Sequence, residues 1–277
     1  MGEAIVVEES DLTLEGGGFT VTGDGTGDGV TIDEQTYVTV TNLNVTGFDT
    51  GIFLMNYDSG PEFLGQHHLI GNTVSNNDIN GISLTFSSSN TIDNNIVSSN
   101  GSEGITLAGV CEDNIITNNT ADFNGGSGIE FLSDRCDYNE VSNNSASYNT
   151  DGIVLGRSIH CDLTDNMAMS NTNYGIWLVF ESGVNDLIHN VIAYNATGLA
   201  IGQYCNNNHI YNNSFIDNGT QAAATPGTLN YYDSEAPDPG GNYWSDLTGP
   251  DDEEPFGIVD IPWTCLLYTS PSPRDRS

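Results

Sequence analysis

The sequence predicts an all-β protein, a single-stranded right-handed parallel β-helix (a solenoid) of about nine coils carrying asparagine ladders. Three observations predict it. A Gly followed by apolar-x-apolar recurs at Gly29, Gly51, Gly81, Gly104, Gly128, Gly152, Gly175 and Gly198, with spacings of 22, 30, 23, 24, 24, 23 and 23 residues. In phase with it run Asn72, Asn95, Asn119, Asn144, Asn166, Asn190 and Asn213, each followed five residues later by another Asn. Within each stretch the apolar residues alternate with period two, which marks strands, and no window sustains a helical period.

Each repeat supplies three short strands. The first follows the Gly, as in Gly104-Ile-Thr-Leu107 or Gly128-Ile-Glu-Phe131. The second centres on an apolar residue three before the marker Asn: Leu69, Ile92, Ile116, Val141, Leu163, Leu187 and Ile210. The third centres two after it, on Val74, Val97, Ala121, Ala146, Ala168, Ile192 and Phe215. A unit of this size cannot bury its own apolar side, and stacking the units buries all of them in one core. Residues of equal phase then form columns about 4.8 Å apart, and an amide in such a column donates to one neighbour and accepts from the other. The marker Asn residues are therefore expected to be structural.

The domain plan is repeats over 1–218, a capping segment over 219–263 with Tyr243 and Trp244 as its apolar plug, and a foreign tail over 264–277. An open solenoid end exposes strand edges and needs a cover. The tail, which includes Cys265-Leu-Leu-Tyr-Thr-Ser-Pro-Ser-Pro-Arg-Asp275, departs abruptly from the repeat composition and resembles a translated sequencing adapter.

The chain has 277 residues, no lysine, four arginines and 38 acids, for a net charge of −34. That balance argues against nucleic acid and against an anionic membrane surface, and removes catalytic lysines. No apolar run is long enough for a transmembrane helix. With 37% hydrophobic residues in strict pattern, the acidity reads as solvation in high salt rather than disorder.

Chemistry-bearing residues are sparse. On the first strand the outward column reads Thr31, Phe53, Ser83, Thr106, Glu130, Val154, Trp177 and Ala200. It holds one acid. Asp151 is offset from Glu130 by three residues, roughly 10 Å along a strand, which argues against a catalytic pair. The remaining acids read as scattered out of phase. One insertion, between Gly51 and Asn72, breaks the repeat; if catalysis is present, Asp58, Glu62, His67 and His68 there are the fallback catalytic residues. Tyr174 and Trp177 are the carbohydrate-contact candidates. Alternation points Phe123, Tyr148 and Tyr194 inward unless the chain has already turned there, and corner packing is expected. The histidines offer no metal-ligand spacing; Asp24 and Asp28, in a Gly-rich run, could offer oxygens to calcium but do not meet the EF-hand pattern, and a Gly-rich turn is expected. No cofactor is expected. Cys111 and Cys136 fall on one column in adjacent coils, where a disulfide or stacked free thiols would fit, and stacked thiols are expected because Ser fills the slot elsewhere. Cys161 is three positions out of that phase.

Residues 4–23, residues 37–51, the Asn90–Asn95 and Asn208–Asn213 motifs, Gly240–Gly249 and Gly257–Trp263 together resemble NosD-like right-handed parallel β-helix proteins of haloarchaea. The resemblance spans residues 4–263. It implies a fold shared with carbohydrate-binding and sugar-hydrolase β-helices, export with an N-terminal signal that this sequence does not show, and a surface location. Three functions are then expected in order. The first is a non-catalytic, extracellular or cell-surface scaffold contacting polysaccharide or surface glycan. The second is a polysaccharide-active enzyme, hydrolase or lyase, with its site in the 55–68 loop or in missing termini. The third is a periplasmic accessory protein for copper-site maturation.

Overall fold

The computed structural model describes residues 4–56, 65–132, 135–232 and 241–245. Among these residues there are strands and turns and no helix, and every strand pair is parallel. The first sheet stacks ten strands, from Ile5–Val7 through Asp28–Asp33 to Thr220–Ala224; the second stacks nine, from Thr13–Glu15 to His209–Tyr211. The third face is two four-stranded pieces joined by the single bridges Ile96 to Thr120, Thr120 to Ser145 and Ser145 to Met167. The break falls where Asp122 accepts the Ser147 N–H at 2.7 Å and the Ser145 hydroxyl at 2.8 Å, a side-chain alternative to a strand bond.

The register explains the repeat. In the first sheet Ile82, Ile105, Ile129, Ile153 and Ile176 are successive Cα partners, as are Leu84, Leu107, Phe131, Leu155 and Leu178. All ten are fully buried. One continuous core runs from Val7 to Trp244.

The asparagines form three ladders, one at each corner. Asn119 shows the geometry: its backbone N–H and Nδ2 donate to Asn144 Oδ1 at 2.9 and 3.0 Å, and Nδ2 also donates to the Ile92 carbonyl at 2.7 Å. This ladder runs from Asn72 to Asn242, and a second from Asn77 to Asn218. The other includes Asn90, Asn114, Asn139, Asn185, Asn208 and Asn230, with His67 and Cys161 standing in the same column. Cys161 is out of phase with the other cysteines because it occupies an asparagine slot. From His67 to Asn218 the residue before each ladder position is left-handed: in one coil Asp113 (φ 57°), Asn118 (φ 55°) and Phe123 (φ 62°) precede Asn114, Asn119 and Asn124. That single residue turns the chain, and the ladder amide then binds the backbone left exposed by the turn.

The stacking continues past Asn218. Thr220–Ala224 pairs with Thr197–Ile201, placing Ala222 and Ala224 beneath Leu199 and Ile201. Tyr243–Trp244 pairs with Ser214–Ile216, and the Trp244 ring stacks on Phe215 at 4.3 Å. Trp244 is buried and Tyr243 is exposed. The foreign tail and the rest of the capping segment lie outside the described residues.

Candidate functional site

Two of the fallback residues, Asp58 and Glu62, lie outside the described residues. The other two diverge. His67 is fully buried: its Nδ1 accepts the Val38 N–H at 3.2 Å, and its own backbone N–H donates to Asn90 Oδ1. Burial drives its pKa down to about 4. His68 is exposed, in the outer column of the second sheet.

The outer face of the first sheet gathers more chemistry than the sequence reading assigned to it. Glu130 lies between the inward Ile129 and Phe131, with Thr106 and Val154 as its register partners and Trp177 one coil beyond Val154. Its carboxyl is pushed up to about 7, first by burial and then by the charge of Glu103, with which it also hydrogen-bonds; Asp151 adds further repulsion and the Ser127 hydroxyl opposes it. Repeat phase gives no sign of Glu103, and its contact means that Glu130 is not set apart from neighbouring acids as its column suggests. Ser127, three residues before Glu130 on the same strand, also reaches its carboxyl. Glu103 reaches it from the preceding coil through the space over Gly126, where an added Cβ would come within 2.7 Å of Glu103 Oε1. The Ser102 hydroxyl holds the other oxygen at 2.6 Å.

Tyr174 and Trp177 continue this strip. Their ring centroids are 4.9 Å apart with planes tilted by 39°, and both are half-buried. The Tyr174 N–H donates to Asp151 Oδ1 at 3.1 Å, which couples the aromatic pair to the acids. Asp151 is pushed up by burial.

The acids are also less scattered than their sequence phase suggests. Glu140, Asp162 and Asp186 are successive register partners on the second sheet, followed by His209, whose Nδ1 meets Asp186 Oδ1 at 2.9 Å. Burial, then Asp186 and Glu140, raises the Asp162 pKa. The corner aromatics face outward, the case in which the chain has already turned: Phe123 and Tyr148 are 59% and 55% exposed and stack at 4.7 Å. Their left-handed φ turns the chain before alternation can point them inward.

Cys111, Cys136, Cys161 and Cys205 are buried free thiols. Burial pushes Cys161 up to about 12, and its thiol donates to the Cys136 carbonyl at 3.2 Å, which suits a structural residue and not a nucleophile. At Asp24 the Thr26 hydroxyl donates to Oδ1 at 2.7 Å, lowering the carboxyl pKa.

These features define a parallel β-helix with a carboxyl-and-aromatic strip along one outer face. The chain belongs to the NosD family: the family model, described as periplasmic copper-binding protein (NosD), matches residues 3–149 and 109–249. A search of curated proteins finds no match. Among solved structures, the fold is similar to the A-module of the mannuronan C-5 epimerase AlgE6 of Azotobacter vinelandii (14% identity, TM-score 0.58, covering 74% of this chain and 62% of that one). It is also similar to the Dettilon tailspike protein (17%, TM-score 0.60, 83% and 55%) and to the periplasmic alginate epimerase AlgG (15%, TM-score 0.52, 83% and 68%). The chain thus spans under two thirds of the first two.

The family description names copper, and a copper centre needs several converging nitrogen or sulfur donors. Among the described residues no three His, Cys, Asp or Glu side chains converge to hold a metal. His160 stacks on Tyr138, His209 faces Asp186, and His67 is enclosed in a ladder. The described residues do not fit a copper centre. No helix of the described residues is long and apolar enough to cross a membrane.

Proposed function

We propose that this chain is an exported β-helix scaffold that contacts glycan along the outer face of its first sheet, from Glu103 to Trp177. The carrying observation is the shared column: Glu130 and Trp177 stand on the same outward line, about 10 Å apart at two coil steps, with Asp151 bonded to Tyr174 between them. Sugars are recognised by a ring platform beside hydroxyl-binding acids, and the strip supplies both. Repetition along the axis suits a polymer lying parallel to it. Likeness in fold to polysaccharide epimerases and a tailspike supports this reading, as does membership of a family described as periplasmic.

A glycan array on the purified protein, at one fixed salt concentration, tests it. The expected result is retention of a polysaccharide class by the parent chain, with loss of at least about tenfold in affinity for Trp177→Ala. Equal retention by Trp177→Ala would remove the strip as the contact face.

A second reading has one observation in its favour. Glu130 keeps a proton near neutrality beside the Glu103 carboxyl, the condition a general acid needs. A polysaccharide-active enzyme would release reducing ends or unsaturated products, and Glu130→Gln would abolish that release. Absence of product across neutral, acidic and amino polysaccharides would leave the scaffold reading alone.

A further inference from the structure

The crowding around Glu130 says which glycan the strip suits. The Glu103 and Glu130 carboxyls meet, and Asp151 acts on Glu130 from the following coil. Thr106 shares the outward column as the register partner of Glu130. Its side chain is directed outward by its fully buried neighbours Ile105 and Leu107. It is nonetheless only 3% exposed, and its Oγ1 has no hydrogen-bond partner. A buried hydroxyl without a partner is costly and marks a place where a partner belongs.

Two carboxyls and the Thr106 hydroxyl converge here, and the neighbouring donors, the Ser102 and Ser127 hydroxyls, are already engaged with those carboxyls. The chain has no lysine, and no arginine figures among the main influences on Glu130 or Asp151. The complementary group is therefore a compact cation with several N–H donors. An ammonium has three, enough to serve Glu103, Glu130 and Thr106 together. A carboxylated sugar would instead meet like charge at close range.

We propose that the strip binds a polysaccharide carrying free amino groups, an amino-sugar polymer, with one ammonium seated among Glu103, Glu130 and Thr106 and a neighbouring ring on Trp177. This rests on the glycan-contact reading and specifies its ligand. The retained proton fits the same picture. Burial and Glu103 hold the Glu130 pKa near 7, so an arriving ammonium displaces that proton and binding releases it to buffer.

The test is titration calorimetry near neutral pH, at fixed salt, with glucosamine oligomers, their N-acetylated counterparts and mannuronate oligomers. Two buffers of different ionisation enthalpy report proton release. The expected result is binding of the glucosamine oligomers with proton release, at least about tenfold tighter than the N-acetylated ones, and no binding of mannuronate. Glu130→Gln should lose about tenfold and lose the proton release, while Thr106→Val loses less. Because 38 acids attract any polycation, the decisive quantity is the Glu130→Gln difference, which leaves 37 of them in place. Circular dichroism confirms that each variant is folded. Equal affinity for N-acetylated oligomers, or an unchanged Glu130→Gln, overturns the amine assignment. If N-acetylated oligomers bind and Trp177→Ala abolishes it, the glycan reading stands without the amine. If no oligomer binds, both fall.

Discussion

Asn144 shows what one ladder amide does. Its Oδ1 accepts both the backbone N–H and the Nδ2 of Asn119, and its own Nδ2 donates to Asn166 and to the Ile116 carbonyl. Asn144→Ala leaves several buried polar groups unpaired in two coils, each typically costing about 1–3 kcal/mol. A fall in denaturation midpoint at fixed salt is expected, and an unchanged midpoint would contradict the burial of the ladder. His67 occupies the same kind of slot with a titratable ring. Its folded pKa of about 4 lies below the ordinary 6.5, so the unfolded chain takes up the proton first. Its contribution is complete above pH 6.5 and fades as pH falls toward 4. His67→Asn keeps a ladder donor and acceptor without the titration. Its unfolding free energy should therefore lose that part of the pH slope, which parallel denaturant titrations across this window would read.

Each coil depends on corners of one left-handed residue. Asn and Asp tolerate that conformation, and Asn118 and Asp113 are corners of this kind. Val184 is not suited to it: a β-branched side chain at φ 57° is strained, on the order of 1–3 kcal/mol. Its neighbours in the column, His160 and Asn207, hold the same conformation with unbranched Cβ atoms. Val184 is also 40% exposed, so little packing is lost on replacement. Val184→Asn should stabilise the protein by about 1 kcal/mol. A lower melting temperature for the variant would show that the side chain is packed in a way its exposure does not indicate.

At the scale of the molecule, the solenoid has one core and two ends. Trp244 stacks on Phe215 and is 2% exposed, and it is the last described ring in the column that begins at Val21 and Val45 and runs through the third face. Trp244→Ala removes a large buried ring, a change that typically costs about 3–5 kcal/mol in a core. It also bares the edge of Ser214–Ile216, and an unpaired edge invites end-to-end association. Light scattering should therefore show concentration-dependent oligomers in the variant before thermal unfolding begins. A monodisperse, equally stable variant would mean that the end is covered by something other than Trp244.

The repeat determined the fold without help from tertiary structure. A parallel stack imposes the same phase on every coil, so apolar columns, the Gly positions and the ladder at Asn72 to Asn213 can be counted directly in the sequence. The face that matters chemically could not be counted in the same way. Glu103 and Glu130 differ in phase, and they meet because Gly126 leaves room for the Glu103 side chain to reach across coils. The outward turn of Phe123 and Tyr148 likewise depends on a backbone angle that period-two alternation does not contain. Periodicity reports which side chains face the core, because burial repeats with the backbone. Which outward side chains touch depends on turn geometry and side-chain reach between coils, and only the folded chain decides that.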